Sequence, residues 1–163
     1  MKYLKRSIYV LLLAAIVLAL LYFIPLPREI DMSLPCVIWD MDDPSAWEPE
    51  GMEIKGRYYS YLLKDDVFKG EIRISEVNEW DEILDMKIYL SDVRGMKMGS
   101  LHYYSGITKD FELTGSLYMQ GRFENIFIGL YVDENSPLND KYVSAPATNI
   151  EEAQAIAESM GFA

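Results

Sequence analysis

The sequence predicts an N-terminal transmembrane helix followed by a mainly β ectodomain, an antiparallel meander of six or seven strands (curled sheet, barrel or sandwich) with one C-terminal amphipathic helix. Three observations carry that reading. A charge-free apolar run occupies Ser7–Ile24, short runs rich in Tyr, Ile, Phe and Val begin at Met52, and helical spacing returns after Asn149.

The first element, SIYVLLLAAIVLALLYFI, contains no charge, Pro or Gly. At about 1.5 Å of rise per residue it spans about 27 Å, close to the hydrocarbon thickness of a bilayer. Tyr22 and Phe23 stand where an interfacial aromatic belt sits, and Pro25 and Pro27 stop the helix. Lys2, Lys5 and Arg6 precede the run. The positive-inside rule therefore predicts a single-pass protein of the cell membrane: residues 1–6 cytoplasmic, 7–24 a signal-anchor helix in the lipid bilayer, and 28–163 extracytoplasmic. A cleaved signal peptide shares this charge order, but its apolar core is shorter and ends in a small-residue site that is absent here.

Charge divides at the same place. Residues 1–27 carry +3, whereas residues 28–163 set 12 basic against 26 acidic side chains, a net −14. A domain this acidic repels nucleic acid and anionic membrane surfaces, whose affinity comes from Lys and Arg meeting phosphates. Half the residues are apolar and 13% aromatic, so the domain has the means to build a core. Cys36 is the only cysteine, which excludes an intramolecular disulfide and leaves a cross-link between copies or a small buried hydrophobe, the second being favoured.

Residues 25–51 read as a Pro-rich acidic stalk and lead-in, with Pro25, Pro27, Pro35, Pro44 and Pro49 and little regular structure expected. The antiparallel β domain is expected over 52–147. Strands are predicted near 53–63, 67–75, 85–91, 98–105, 111–120 and 123–132, with one more near 141–145. Short links at Lys64-Asp65-Asp66 and Gly121-Arg122 predict hairpins, while 76–82, 91–96 and 133–140 read as longer loops. Consecutive strands without intervening helices imply antiparallel pairing, because parallel pairs need crossovers. The last element, within 148–163, starts with Asn149 and Glu152 at capping-box spacing. It repeats Ala153, Ile156, Ala157 and Met160 on one face, and stops at Gly161.

Four strands share a central glycine: Phe68-Lys69-Gly70-Glu71-Ile72, Lys97-Met98-Gly99-Ser100-Leu101, Leu113-Thr114-Gly115-Ser116-Leu117 and Phe127-Ile128-Gly129-Leu130-Tyr131. Alternation puts each Gly on the face of the apolar residue two positions on, which predicts core-facing glycines and a strongly curled sheet. The opposite face collects Tyr59, Tyr61, Tyr89, His102, Tyr104 and Tyr118. These are the candidate binding residues, since tyrosine offers a rigid contact surface with a polar tip. The high β propensity of tyrosine explains the same pattern without any ligand.

Catalytic groupings are thin. His102 is the only histidine, and Cys36 lies in the lead-in, so nucleophilic triads and a His/Cys zinc site have no raw material. Asp40, Asp42 and Asp43 lack the glycine of a calcium loop, and no phosphate-binding loop occurs. No cofactor or metal is implied. The function these observations favour is a non-enzymatic binding or protein-interaction module, with an envelope protein or a glycan as partner. A small β barrel holding an apolar ligand is the alternative, and a carboxylate-dependent hydrolase ranks third.

Overall fold

A computed structural model of the chain describes residues 2–75, 86–104, 111–131 and 140–162. Helix α1 (Lys2–Phe23) leads into eight strands: β1 (Leu26–Trp39), β2 (Trp47–Ser60), β3 (Asp66–Ile74), β4 (Met86–Val93), β5 (Met96–Tyr104), β6 (Phe111–Gln120), β7 (Asn125–Leu130) and β8 (Tyr142–Ala145). Helix α2 (Ile150–Ser159) follows. Each strand pairs antiparallel with the next, and β8 returns to β1, so the sheet is a closed barrel.

The barrel contains one long strand more than the sequence pattern suggests, because residues 25–51 are not a stalk. Leu26–Trp39 pairs with Trp47–Ser60 along 14 residues of each strand. The prolines that argued for irregular structure sit in phase. Pro27, Pro35 and Pro49 occupy alternate-phase positions, and the Pro35 carbonyl points away from β2 to accept the Ala147 N–H at 3.0 Å. At such positions the missing N–H removes no rung of the β1–β2 ladder. Alternation along β1 then turns Ile30, Met32, Leu34, Cys36 and Ile38 into the barrel.

The interior is filled by side chains, as eight-stranded barrels are. Met52, Ile54, Phe68, Ile72, Ile88, Leu90, Leu101 and Leu117 are among the fully buried residues. Cys36 joins them with no exposed surface, and burial raises its thiol pKa to about 12. A second cluster lies outside the barrel wall, where α2 lays Ala153, Ile156, Ala157 and Met160 over Val37, Trp39 and Phe127. The Phe127 ring stacks on Phe162 (centroids 4.6 Å apart) and Tyr142 (5.4 Å), and the Trp39 indole donates to Ser144 Oγ at 3.0 Å.

α2 is fixed at both ends as its sequence predicts. The Asn149 side chain accepts from the Glu152 N–H at 2.9 Å, and the Glu152 carboxylate accepts in return from the N–H of Thr148 rather than that of Asn149. At the other end the N–H groups of Gly161 and Phe162 donate to the carbonyls of Glu158 and Ala157, with Gly161 at φ +82°. This is the Schellman arrangement, for which glycine avoids a Cβ penalty.

Two further expectations are revised. The link at 91–96 is a two-residue hairpin, Arg94-Gly95, with both residues at positive φ (51° and 85°) as a type I′ turn requires. Gly70, Gly99 and Gly115 share the inward phase of their strands, but Gly129 faces outward beside Tyr142, in phase with Phe127. Both faces of β7 are buried, one in the barrel and one under α2, so alternation alone could not orient it. The loops expected at 76–82 and 133–139 lie outside the described residues.

Every described side chain of α1 is exposed, Ile8, Leu12 and Ile16 among them. Those side chains run unbroken only from Arg6 to Leu20, and on the described residues no helix is long and apolar enough to cross a membrane.

The tightest backbone approach is between the paired residues Gly56 and Gly70. A Cβ on Gly56 would meet the Lys69 carbonyl, and one on Gly70 the Lys55 carbonyl. Gly56→Ala or Gly70→Ala should therefore cost about 1–3 kcal/mol of overpacking, read as a lower urea midpoint. Gly95→Ala meets nothing within 4 Å and should cost only its backbone strain, so it is the smaller of the two effects.

Candidate functional site

Three adjacent strands bring two rows of side chains to the outer wall of the barrel. In the first row Tyr59 of β2, Val67 of β3 and Tyr89 of β4 stand opposite one another. In the next row the partners are Arg57, Lys69 and Lys87. Like charges placed directly opposite across strands are unfavourable, so a row of three cations works against the sheet. The rings beside them offset part of that cost. Lys69 lies over Tyr59 with its Nζ 5.3 Å from the ring centroid, and Lys87 over Tyr89 at 4.5 Å.

The turn after β2 adds to the group. The Tyr61 N–H donates to Asp66 Oδ1 at 2.8 Å, which pins the turn, and Lys64 Nζ sits 4.0 Å from the Tyr61 centroid and 5.6 Å from that of Tyr22 at the end of α1. Between these residues runs a groove of about 430 Å³, bounded by Pro25, Tyr59, Tyr61, Lys64, Lys69, Lys87 and Tyr89, with Asp65 as its one acidic residue. The ammonium of Lys87 donates to the Tyr89 hydroxyl and lowers its pKa. Among the described residues Arg57 has a carboxylate partner, Glu29 at 3.5 Å, on the exposed surface, and neither Lys69 nor Lys87 has one. Chemically this is a surface for an anionic group that also offers aromatic faces.

Three of the six candidate residues thus converge: Tyr59, Tyr61 and Tyr89. Tyr118 does not join them; its ring packs on Phe162 at 4.5 Å, beneath the end of α2. His102 is exposed on β5 and borders no part of the groove. Tyr104 belongs to β5, but its side chain lies outside the described residues. The lysines and Arg57 were missed as a group because charge summed over the chain hides three cations placed side by side by strand register. Among the described residues no three His, Cys, Asp or Glu side chains converge to hold a metal ion.

No family model matches the chain, and neither a curated protein nor a solved structure is significantly similar to it.

Beside the groove a polar network that the sequence did not reveal closes the end of the barrel interior. Asp66, 4% exposed, accepts from the Tyr58 hydroxyl at 2.6 Å and from Lys97 Nζ at 3.0 Å, and Lys97 also reaches Asp92 at 2.8 Å. Phe123, at φ +64°, caps the same end and packs on Phe68 with centroids 5.0 Å apart. Burial by itself raises the pKa of Asp66, but the hydrogen bonds from Tyr58, the Tyr61 N–H and Lys97 outweigh it and the net shift is downward. Tyr58 is raised, by burial and then by its bond to Asp66.

The sign of the pH dependence follows. A carboxyl whose folded pKa lies below its unfolded value of about 3.9 stabilises the fold above that value and ceases to as pH falls through the folded pKa. Asp66→Asn should lower stability by about 2 kcal/mol at neutral pH. In acid the wild type should lose stability more steeply than the variant, so that the urea midpoints of the two converge.

Proposed function

We propose that the protein is a single-pass, membrane-anchored binding module. In this reading α1 is the bilayer anchor, the barrel stands outside the cytoplasm, and the tyrosine and lysine face of β2–β4 binds its partner without catalysis. The observation that supports the anchor is the exposure of every described apolar side chain of α1 from Ile8 to Leu20, a surface that the barrel does not cover. Over Ser7–Ile24 the sequence supplies the length and the absence of charge that a crossing needs, and Lys2, Lys5 and Arg6 supply its orientation. Support for binding comes from the juxtaposition of Tyr59, Tyr61 and Tyr89 with Lys64, Lys69 and Lys87. A barrel enclosing an apolar ligand finds less support, since large side chains occupy the interior.

Two arginines at Leu12 and Ile16 test the anchor, each adding about 2.5–3.5 kcal/mol to insertion at mid-helix. Wild type should stay with the membrane through alkaline carbonate extraction, and L12R/I16R should move to the supernatant. Release of the wild type by carbonate alone would end this reading. Orientation is testable with an impermeant maleimide on intact cells. Asp42→Cys, on an exposed loop, should label, whereas Cys36 in the wild type should react only after denaturation.

A further inference from the structure

We infer that the groove beside α1 is a docking surface for the anionic phosphate headgroups of the bilayer in which α1 is anchored, so that this rim of the barrel rests on its membrane rather than standing clear of it. The inference rests on the anchor reading above and names the partner of the same site.

Position is the first argument. Antiparallel alternation brings the turns 61–65, 94–95 and 121–124 to the end of the barrel where α1 joins β1. The groove begins at Pro25, two residues after α1 ends, and Lys64 bridges the ring of Tyr22 on the helix and that of Tyr61 on the barrel. Any bilayer that holds α1 brings its headgroups to this rim.

Exposed apolar groups are the second argument. Leu62 and Leu63 at the tip of the β2–β3 turn are 67% and 54% exposed, and Leu26 at the start of β1, paired with Ser60 at the end of β2, is exposed at the same end of the barrel. Paired leucines at a turn tip flanked by Tyr61 and Lys64 have the composition of an interfacial contact: aliphatic ends that enter the acyl boundary, phenols at headgroup level, and an ammonium reaching phosphate.

Charge complementarity is the third. Arg57, Lys69 and Lys87 stand side by side in a domain of net −14, and Lys64 lies at the edge of the same surface. The acids of the 40–46 turn, Asp40, Asp42 and Asp43, lie at the opposite end of the barrel. An anionic surface attracts one end and repels the other, which selects one orientation.

Full-length protein in vesicles of phosphatidylcholine with phosphatidylglycerol tests this, with a polarity-sensitive fluorophore on Leu63→Cys, Asp42→Cys or Leu12→Cys in turn. Docking requires that the Leu63 probe be quenched by headgroup-level nitroxide lipids and shielded from aqueous iodide, while the Asp42 probe stays in water. The shielding should weaken as salt rises toward 1 M, where the screening length is about 3 Å. K64Q/K69Q/K87Q should weaken it likewise, circular dichroism confirming that this variant is folded. A Leu63 probe as open to iodide as the Asp42 probe overturns the proposal, and the Leu12 probe separates the two failures. Deep quenching of Leu12 with an open Leu63 leaves the anchor standing and refutes docking; a Leu12 probe in water refutes both.

Discussion

Closure through β8 is the constraint on which the rest of the molecule depends. Four residues, Tyr142–Ala145, pair with β7 along one edge and with Val37–Trp39 of β1 along the other. Without them β1 and β7 would each present an unpaired edge, a template for wrong pairing. The same four residues also complete both clusters. Val143 turns into the barrel, and Ser144 turns outward to take the Trp39 indole under α2. Closure and the docking of α2 are therefore one event. The helix is held against the closing strands by the Phe127, Tyr142 and Phe162 rings, and its end is fixed by Gly161, which aims Phe162 at the wall. The first half of β1, beyond the reach of β8, keeps an edge that Pro27, Arg28, Glu29 and Asp31 make unattractive to another strand.

The barrel has two unlike ends. Where α1 joins, the connections are short and two of them depend on left-handed residues: Arg94 and Gly95 in one turn, Gly121 and Phe123 in another. Phe123 and the Tyr58–Asp66–Lys97 network seal the interior there. A charged group so deeply placed survives because both of its oxygens accept hydrogen bonds, from Tyr58, the Tyr61 N–H and Lys97; a half-satisfied network would be worse than an apolar plug. Because Asp66 also holds the Tyr61 N–H, the seal and the groove share a residue. The groove consequently rests on strands and a pinned turn, which hold its tyrosines in place.

Much of this was legible in the sequence. The strands from Met52 onward, their antiparallel order, a hairpin near Lys64-Asp65-Asp66, whose turn in fact spans 61–65, and the caps of α2 follow from alternation, turn chemistry and capping rules. The failures have definite causes. β1 was hidden by counting prolines without their phase, since Pro27 and Pro35 are harmless only if both spare the same side of one strand. Gly129 was misassigned because a strand covered on both faces carries no alternation to read. Alternation puts Tyr59, Tyr89 and Tyr118 on the outer wall but says nothing of their neighbourhood: Tyr118 and Tyr59 share that wall, yet α2 covers one and leaves the other open. Neighbourhood on a barrel depends on register between strands, which no single strand encodes.

Register also decides how the charge of the domain is distributed over its surface. A sum over residues 28–163 gives −14 and predicts repulsion from anionic surfaces, but a surface at close range is sensed within about one screening length, near 8 Å at physiological salt. Over that distance the relevant quantity is the charge of one patch. Arg57, Lys69 and Lys87 enter the sequence 12 and 18 residues apart, separated by Glu71 and Asp66, and only pairing of β2, β3 and β4 sets them in a row. Folding would be better served by alternating signs there, as Lys55 opposite Glu71 achieves one step along the same strands. A like-charged row beside three phenols, at the end of the barrel that carries the apolar helix, is a local cost to the sheet that the rings of Tyr59 and Tyr89 and the carboxylate of Glu29 offset only in part.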